Sequence, residues 1–355
     1  SVASRGLGDV YKRQLKLIID AQRWRNHLTA FAKSCPGIVP VTKGNGYGFG
    51  HELLVQESQR LGIDILAVGV AQEVASVRQY GWDKDVIVLN PWRPGDEVAA
   101  GLLNDPKVIT TISRREDIAA LRDLAPSASI LVEVETSMHR HGVPADEVAA
   151  LDLDGFDLRG WTIHLPSGAS LDEGREMARI VKQHPLASRG IWFSHLSCDD
   201  YIALSKKLDV PVRMRVGTRL WLGDANAYRV TGTVLDVRWL PKRTPVGYHR
   251  VKTHADGYIV VVSGGTAHGV ALSAPISARS LRQWLIPGAE ALQQMVGRVI
   301  SPFTIAGKKA VFAEPPHMHS SLVFVGGPGE PTHVGDEVPV NVRMTTATFD
   351  EISLV

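Results

Sequence analysis

The chain has 355 residues, 44% of them hydrophobic and 21% charged, enough for one large domain and a smaller one with a sizeable core. Its net charge is only +2 and its lysines and arginines are scattered, which argues against nucleic acid or a membrane surface as partner. No apolar run approaches the roughly 18 residues that cross a bilayer, and two cysteines, Cys35 and Cys198, make no disulfide framework, so a cytoplasmic enzyme is the expectation.

Residues 1–14 (SVASRGLGDVYKRQ) show neither an apolar signal region nor a strand or helix period, and they read as a sequence-assembly scar outside the fold. From Leu15 onward, β-branched runs alternate with amphipathic stretches. An opening strand, LKLII, is followed by GIVPVTK from 37, ILAVGV from 65, DVIVLN from 85, KVITTI from 107, SILVEVE from 129, LRGWTIHL from 158, GIWFSHL from 190 and VRMRVG from 212. Between them lie helix patterns such as HELLVQESQRLG and EDIAALRDLA, the latter preceded by Ser113 and Glu116 at capping-box spacing. Eight strands alternating with helices predict an α/β fold, a parallel (β/α)8 TIM-like barrel over 15–225. A doubly wound open sheet is the competing arrangement, which periodicity does not separate from it. After about residue 226 helix patterns thin out and β-rich segments follow one another, so 226–355 reads as a mostly β C-terminal domain with one helix-like insert around Ile276 to Met295.

A barrel places chemistry at the C-terminal ends of its strands. Those ends carry Lys43, Asn90, Glu135, His164, Ser194, His195 and Arg215. The most specific segment is VTKGNGYGFG, Val41 to Gly50. A lysine ending an apolar strand is partly desolvated, which lowers its pKa and makes the amine nucleophilic towards aldehydes. The surrounding glycines admit a ligand close to the backbone, and Tyr47 reaches a phosphate or the lysine itself. A glycine-rich turn with a solvated lysine is the plain alternative, and neither nucleotide-loop glycine pattern is present.

VTKGNGYGFG resembles the lysine motif of the alanine racemase family, a group of pyridoxal 5'-phosphate (PLP) enzymes of fold type III. In chain order, LKLIIDAQRWRNHL, VEVETSMHRHGV, RVGTRLWLGD, PVGYHR, HMHSSLVFV and VGDEVPV resemble further segments of that family. The resemblance implies PLP held as a Schiff base on Lys43, which also acts as acid and base at the substrate Cα. It implies Tyr47 on the cofactor phosphate, Arg140 on the phenolic oxygen and beside the substrate, and Arg215 at the pyridine nitrogen. His164 is implied as an orienting residue, and Ser194 or Ser197 as a phosphate ligand. It further implies a homodimer with shared active sites, a small amino-acid substrate, D-alanine for peptidoglycan as the leading product, and no metal.

The sequence departs from the family at the second base. A tyrosine of the partner's β domain serves there in the family, whereas VVSGGTAHGV puts Thr266 at the tyrosine and His268 at the following aspartate. A threonine hydroxyl has no usable acidity near neutral pH. His268, Thr266 or water is left to serve the second face. Glu133 stands where a modified lysine often braces the arginine equivalent to Arg140, and a carboxylate can do so by a charged hydrogen bond. His319 replaces an aspartate beside Met318 in the substrate-carboxylate region, and Phe349 or Asp350 replaces a phosphate-contacting tyrosine. The expected activity is therefore a PLP-dependent racemase or epimerase, alanine racemase-like. A one-sided PLP enzyme (decarboxylase, aldolase or dehydratase type) and a non-catalytic PLP-binding protein are the alternatives.

Overall fold

The structure is a computed structural model that describes residues 14–272 and 299–355. The chain divides into two compact units, one of residues 22–225 and one of the described residues up to 21 together with those from 226 onward.

In chain order, β1 (Leu15–Ile19) and α1 (Ala21–Ser34) precede β2 (Ile38–Pro40), α2 (Gly50–Arg60), β3 (Ile65–Val68), α3 (Gln72–Gln79) and β4 (Asp85–Val88). Then come α4 (Glu97–Leu102), β5 (Val108–Ile112), α5 (Glu116–Leu124), β6 (Ser129–Val134) and β7 (Asp157–His164). The unit ends with α6 (Leu171–Val181), β8 (Ile191–Ser194), α7 (Cys198–Ser205), β9 (Val212–Val216) and α8 (Thr218–Trp221). Strands β2 to β9 form one parallel sheet in the order β2-β9-β8-β7-β6-β5-β4-β3. A parallel bridge between Val41 and Ala67, with Thr42 N–H donating to Ala67 O at 2.8 Å, joins the two ends into a ring. The arrangement is the expected barrel, and the open doubly wound sheet is excluded. Strands such as VITTI and SILVEV are buried at every position, as parallel strands covered on both faces must be.

Two local details differ from the sequence reading. Helix α5 has no side-chain cap at its start, and Ser113 Oγ instead accepts from Arg93 Nη2 at 2.8 Å. A reciprocal capping box does open α6, between Ser170 and Glu173. Among the described residues no α-helix joins β6 to β7. The chain after β6 folds back on it, with Glu135 N–H donating to Val143 O and Val143 N–H to Glu133 O, before a 3-10 turn at Val148–Ala150.

The second unit contains β10 (Tyr228–Leu240), β11 (Pro245–Val246), β12 (Val251–Lys252), β13 (Gly257–Ser263), β14 (Ile300–Ile305), β15 (Lys308–Phe312), β16 (Ser320–Gly326), β17 (Glu337–Pro339) and β18 (Glu351–Leu354). Its main sheet runs β14-β15-β16-β13-β10-β1-β18, with β17 also on β10. Strand β1 belongs here, antiparallel to β10 and parallel to β18, and not in the 15–225 barrel range. Its alternating buried and half-buried residues suit a sheet with one covered face. The insert expected around Ile276 to Met295 lies outside the described residues.

Candidate active site

The C-terminal mouth of the barrel gathers charged residues from separate strands. Pairing register sets His164 on β7 beside Ser194 on β8, and Ser194 beside Arg215 on β9. Residues in one such row share a face of the sheet. Ser194 Oγ lies 2.7 Å from His164 Nδ1, and burial together with the cations Arg215 and Arg140 pushes the His164 pKa down to about 3. The imidazole is therefore neutral at neutral pH. Arg215 is only 7% exposed, its Nη2 reaches Ile163 O at 3.4 Å, and its Nε is buried with no partner. Burial lowers its pKa to about 10, with Glu133 opposing the shift, so it stays cationic.

Lys43 stands three residues beyond β2 and reaches solvent. Desolvation in the cup lowers its pKa below the ordinary lysine value, Arg140 and Arg215 add repulsion, and Glu73 opposes them. Glu73 on α3 was not foreseen in the sequence. It binds the loops beside the lysine, accepting from Gly44 N–H and Gly69 N–H at 2.6 Å each. Tyr47 is buried and in the left-handed region at φ 56°, where a non-glycine residue is uncommon. Burial, with Glu73 nearby, raises its pKa to about 12 and keeps the phenol a hydrogen-bond donor. A Cβ on Gly217 would lie 1.9 Å from Tyr47 Oη, so a glycine there leaves room for the phenol.

Arg140 rides on the loop that folds back after β6, and its Nη2 is 3.8 Å from Glu133 Oε1. The direct hydrogen bond expected between them is an ion pair at longer range. Buried Glu133 has its pKa raised by desolvation, against Arg215 and Arg140. Ser197 caps α7, accepting from Asp200 N–H at 3.0 Å, and its hydroxyl faces the Asp200 carboxylate at 2.7 Å. Asn90 is exposed, and Glu135 Oε1 pairs with His139 at 3.1 Å. Among the described residues no group of three His, Cys, Asp or Glu side chains is placed to hold a metal ion. No described helix is long and apolar enough to cross a membrane.

The remaining predicted residues lie in the β unit. Thr266, Met318 and His319 are exposed, and backbone bonds lace their segments together: Gly264 N–H to His319 O, Thr266 N–H to His317 O and Ala267 N–H to Met318 O. His268 is 6% exposed, its Nδ1 accepts from Gly265 N–H at 3.3 Å, and its Nε2 faces Asp350 Oδ1 at 3.2 Å. Asp350 also accepts from Leu15 N–H at 2.7 Å, which makes it a clamp on β1.

Residues 19–184 match the family described as Alanine racemase, N-terminal domain. An alanine racemase of Geobacter sp. (strain M21) is 30% identical over 177 residues, 46% of each chain. One of Campylobacter jejuni subsp. jejuni serotype O:2 is 26% identical over 275 residues, 71% of this chain and 78% of the relative. Among solved structures, the alanine racemase of Bartonella henselae with covalently bound pyridoxal phosphate superposes with a TM-score of 0.69. It is 17% identical, covering 93% of this chain and 91% of that one. The enzyme from E. faecalis gives a TM-score of 0.66 at 20% identity, covering 92% and 88%.

Residues 19–184 thus resemble the alanine racemase N-terminal domain at low identity, and the chain shares the fold of the solved alanine racemases. The first matched relatives align over about half of their length. At such identities the likeness to the solved alanine racemases carries the fold and leaves the chemistry to the residues at the mouth.

Proposed function

We propose that this protein is a PLP-dependent amino-acid racemase, with L-alanine to D-alanine as the leading reaction and Lys43 as the residue that holds the cofactor covalently. The convergence of Lys43, its pKa lowered, with Arg215, Arg140 and Tyr47 at one barrel mouth carries this reading.

The residues suit the cofactor chemically. A lysine with a lowered pKa gives up its proton more readily, yielding the free amine that condenses with an aldehyde. The buried, unpartnered Nε of Arg215 leaves a donor to spare at the mouth, and a permanent cation suits an unprotonated ring nitrogen. A neutral Tyr47 phenol beside Gly217 supplies a donor for a phosphate oxygen. When bound, PLP supplies an electron sink for the charge that develops at the substrate Cα. Lys43 would take and return the Cα proton on one face, Arg140 would orient the bound ring and the substrate, and neutral His164 would hold Ser194 and Arg215 in place without adding a charge. Met318 and His319 would border the substrate carboxylate, and Thr266 would stand at the second-base position.

The exposed Thr266, lacking usable acidity, is the one feature that favours a one-sided PLP enzyme instead. A cytoplasmic homodimer in which each β unit completes its partner's site accompanies the racemase reading, as does a supply of D-alanine for peptidoglycan. To test the cofactor assignment, the protein is loaded with PLP, reduced with borohydride and digested. A PLP adduct on the Lys43 peptide, absent from Lys43→Ala, is expected; an adduct elsewhere or none refutes it.

A further inference from the structure

The β unit carries a histidine–carboxylate pair next to Thr266. Glu314 is buried, and its Oε1 lies 2.7 Å from His317 Nε2. Its other oxygen accepts from Tyr248 N–H at 2.8 Å and faces His249 Nδ1 at 3.5 Å. Burial works against its charge, but the bonds from His317, Tyr248 N–H and His249 outweigh it and hold the carboxyl below the usual range. An ionised carboxylate only accepts, so His317 donates to it through Nε2–H, which leaves Nδ1 as the ring nitrogen not engaged by the carboxylate. That nitrogen makes no hydrogen bond among the described residues, and the His317 side chain is 30% exposed. The Tyr248 ring, 84% exposed, packs beside it at 4.9 Å between centroids, tilted by 44°.

This packing explains the PVGYHR segment. Gly247 sits at φ 71°, and a Cβ on it would fall 2.0 Å from Glu314 Cδ, so any larger residue would displace the carboxylate. His317 O accepts from Thr266 N–H at 2.9 Å, which fixes the pair beside the residue aligned with the family's tyrosine base. His268, by contrast, is buried with both ring nitrogens engaged and has no free nitrogen to offer a substrate.

We propose that His317, held by Glu314, is the proton carrier for the second face of the substrate, in place of the missing tyrosine. The inference rests on the racemase reading. As the Cα–H bond breaks, His317 Nδ1 takes the proton and the electron pair stays with the substrate. Lys43 delivers a proton to the opposite face, and the reverse reaction exchanges the roles. Glu314 is a positioning residue that fixes the tautomer and stabilises the imidazolium, an arrangement familiar from histidine bases.

The test uses full-length, PLP-loaded protein in heavy water and follows deuterium entry at Cα of L- and D-alanine separately. Wild-type protein exchanges both. In His317→Asn, exchange from one enantiomer falls about 100-fold or more, the size of a lost general base, while the other still exchanges without inversion. Equal loading of Lys43 with PLP in the variant shows that the fold is intact. Added imidazole restores the lost exchange in His317→Gly, and Glu314→Gln moves the pH profile of that enantiomer alone. Exchange of both enantiomers at the wild-type rate in His317→Asn, or equal loss of both, overturns the assignment of His317 and leaves the racemase reading standing. Wild-type protein that exchanges neither enantiomer overturns the racemase reading itself, and this inference with it.

Discussion

Gly217 and Tyr47 show how closely the mouth is fitted. A methyl group on Gly217 overlaps the Tyr47 hydroxyl at 1.9 Å. Overpacking of this kind costs about 1–3 kcal/mol, so Gly217→Ala is expected to lower the melting temperature and weaken PLP binding about tenfold or more. Tyr47→Phe in the same chain should recover stability only in part, since the ring Cζ still lies 2.5 Å from the added Cβ, and should not recover affinity, since the phosphate donor is gone. Calorimetry and cofactor titration check the pair. His164 sets a pH dependence. Its folded pKa of about 3 lies below its unfolded value of about 6.5, so the unfolded chain binds the proton first as pH falls. Its contribution to stability is constant above about pH 6.5 and declines from there towards pH 3. Urea unfolding should therefore show a steeper loss from pH 7.5 to 5 in wild type than in His164→Asn. Identical slopes would mean that the ring titrates in the fold as it does in the unfolded chain. Lys43, His164 and Arg215 could be picked out in the sequence because each ends an apolar strand or follows one by a few residues. Glu73 could not, since Gly44 meets it only in space, and the Glu314–His317 pair, though three residues apart, lies at no strand end or helix period that would mark it. Ser197 carried a visible signal of another kind, an Asp three residues on, which is the spacing of the helix cap it forms.

At the level of elements, the loop between β6 and β7 is the least regular part of the barrel and the part that carries Arg140. Gly142 holds it at φ 128°, where a Cβ would lie 2.2 Å from Glu135 N. Gly142→Ala is expected to cost on the order of 1–3 kcal/mol and to displace Arg140, weakening the enzyme more than the stability loss alone implies. A variant with normal kinetics and a lowered melting temperature would show that Arg140 does not depend on the loop. Alternation of β-branched runs and helix patterns was enough to find all eight barrel strands, since strands covered on both faces are mostly apolar. The β6–β7 connection was not legible in the same way. Its missing helix follows from the backbone returning to pair with β6, and no period records that. The place of β1 escaped for a related reason: strand pairing between Leu15–Ile19 and Glu351–Leu354 spans the whole chain.

At the level of the whole molecule, the proposed dimer would draw Lys43 and the β-unit residues of one site from two chains. Mixing Lys43→Ala with His317→Asn protein, each defective in racemisation alone, should restore racemisation. In half of randomly paired dimers one of the two sites has all its residues, so about a quarter of wild-type activity is expected. No recovery after subunit exchange, in a protein that is dimeric by light scattering, would place both groups on the same chain.

Inversion of an amino acid at Cα by the residues gathered around Lys43 can be checked in one reaction. Its most direct test is to incubate the PLP-loaded protein with L-alanine in heavy water and to measure both D-alanine and deuterium at Cα. D-alanine carrying deuterium is the predicted result. Recovered L-alanine with no D-alanine formed and no deuterium at Cα would contradict it.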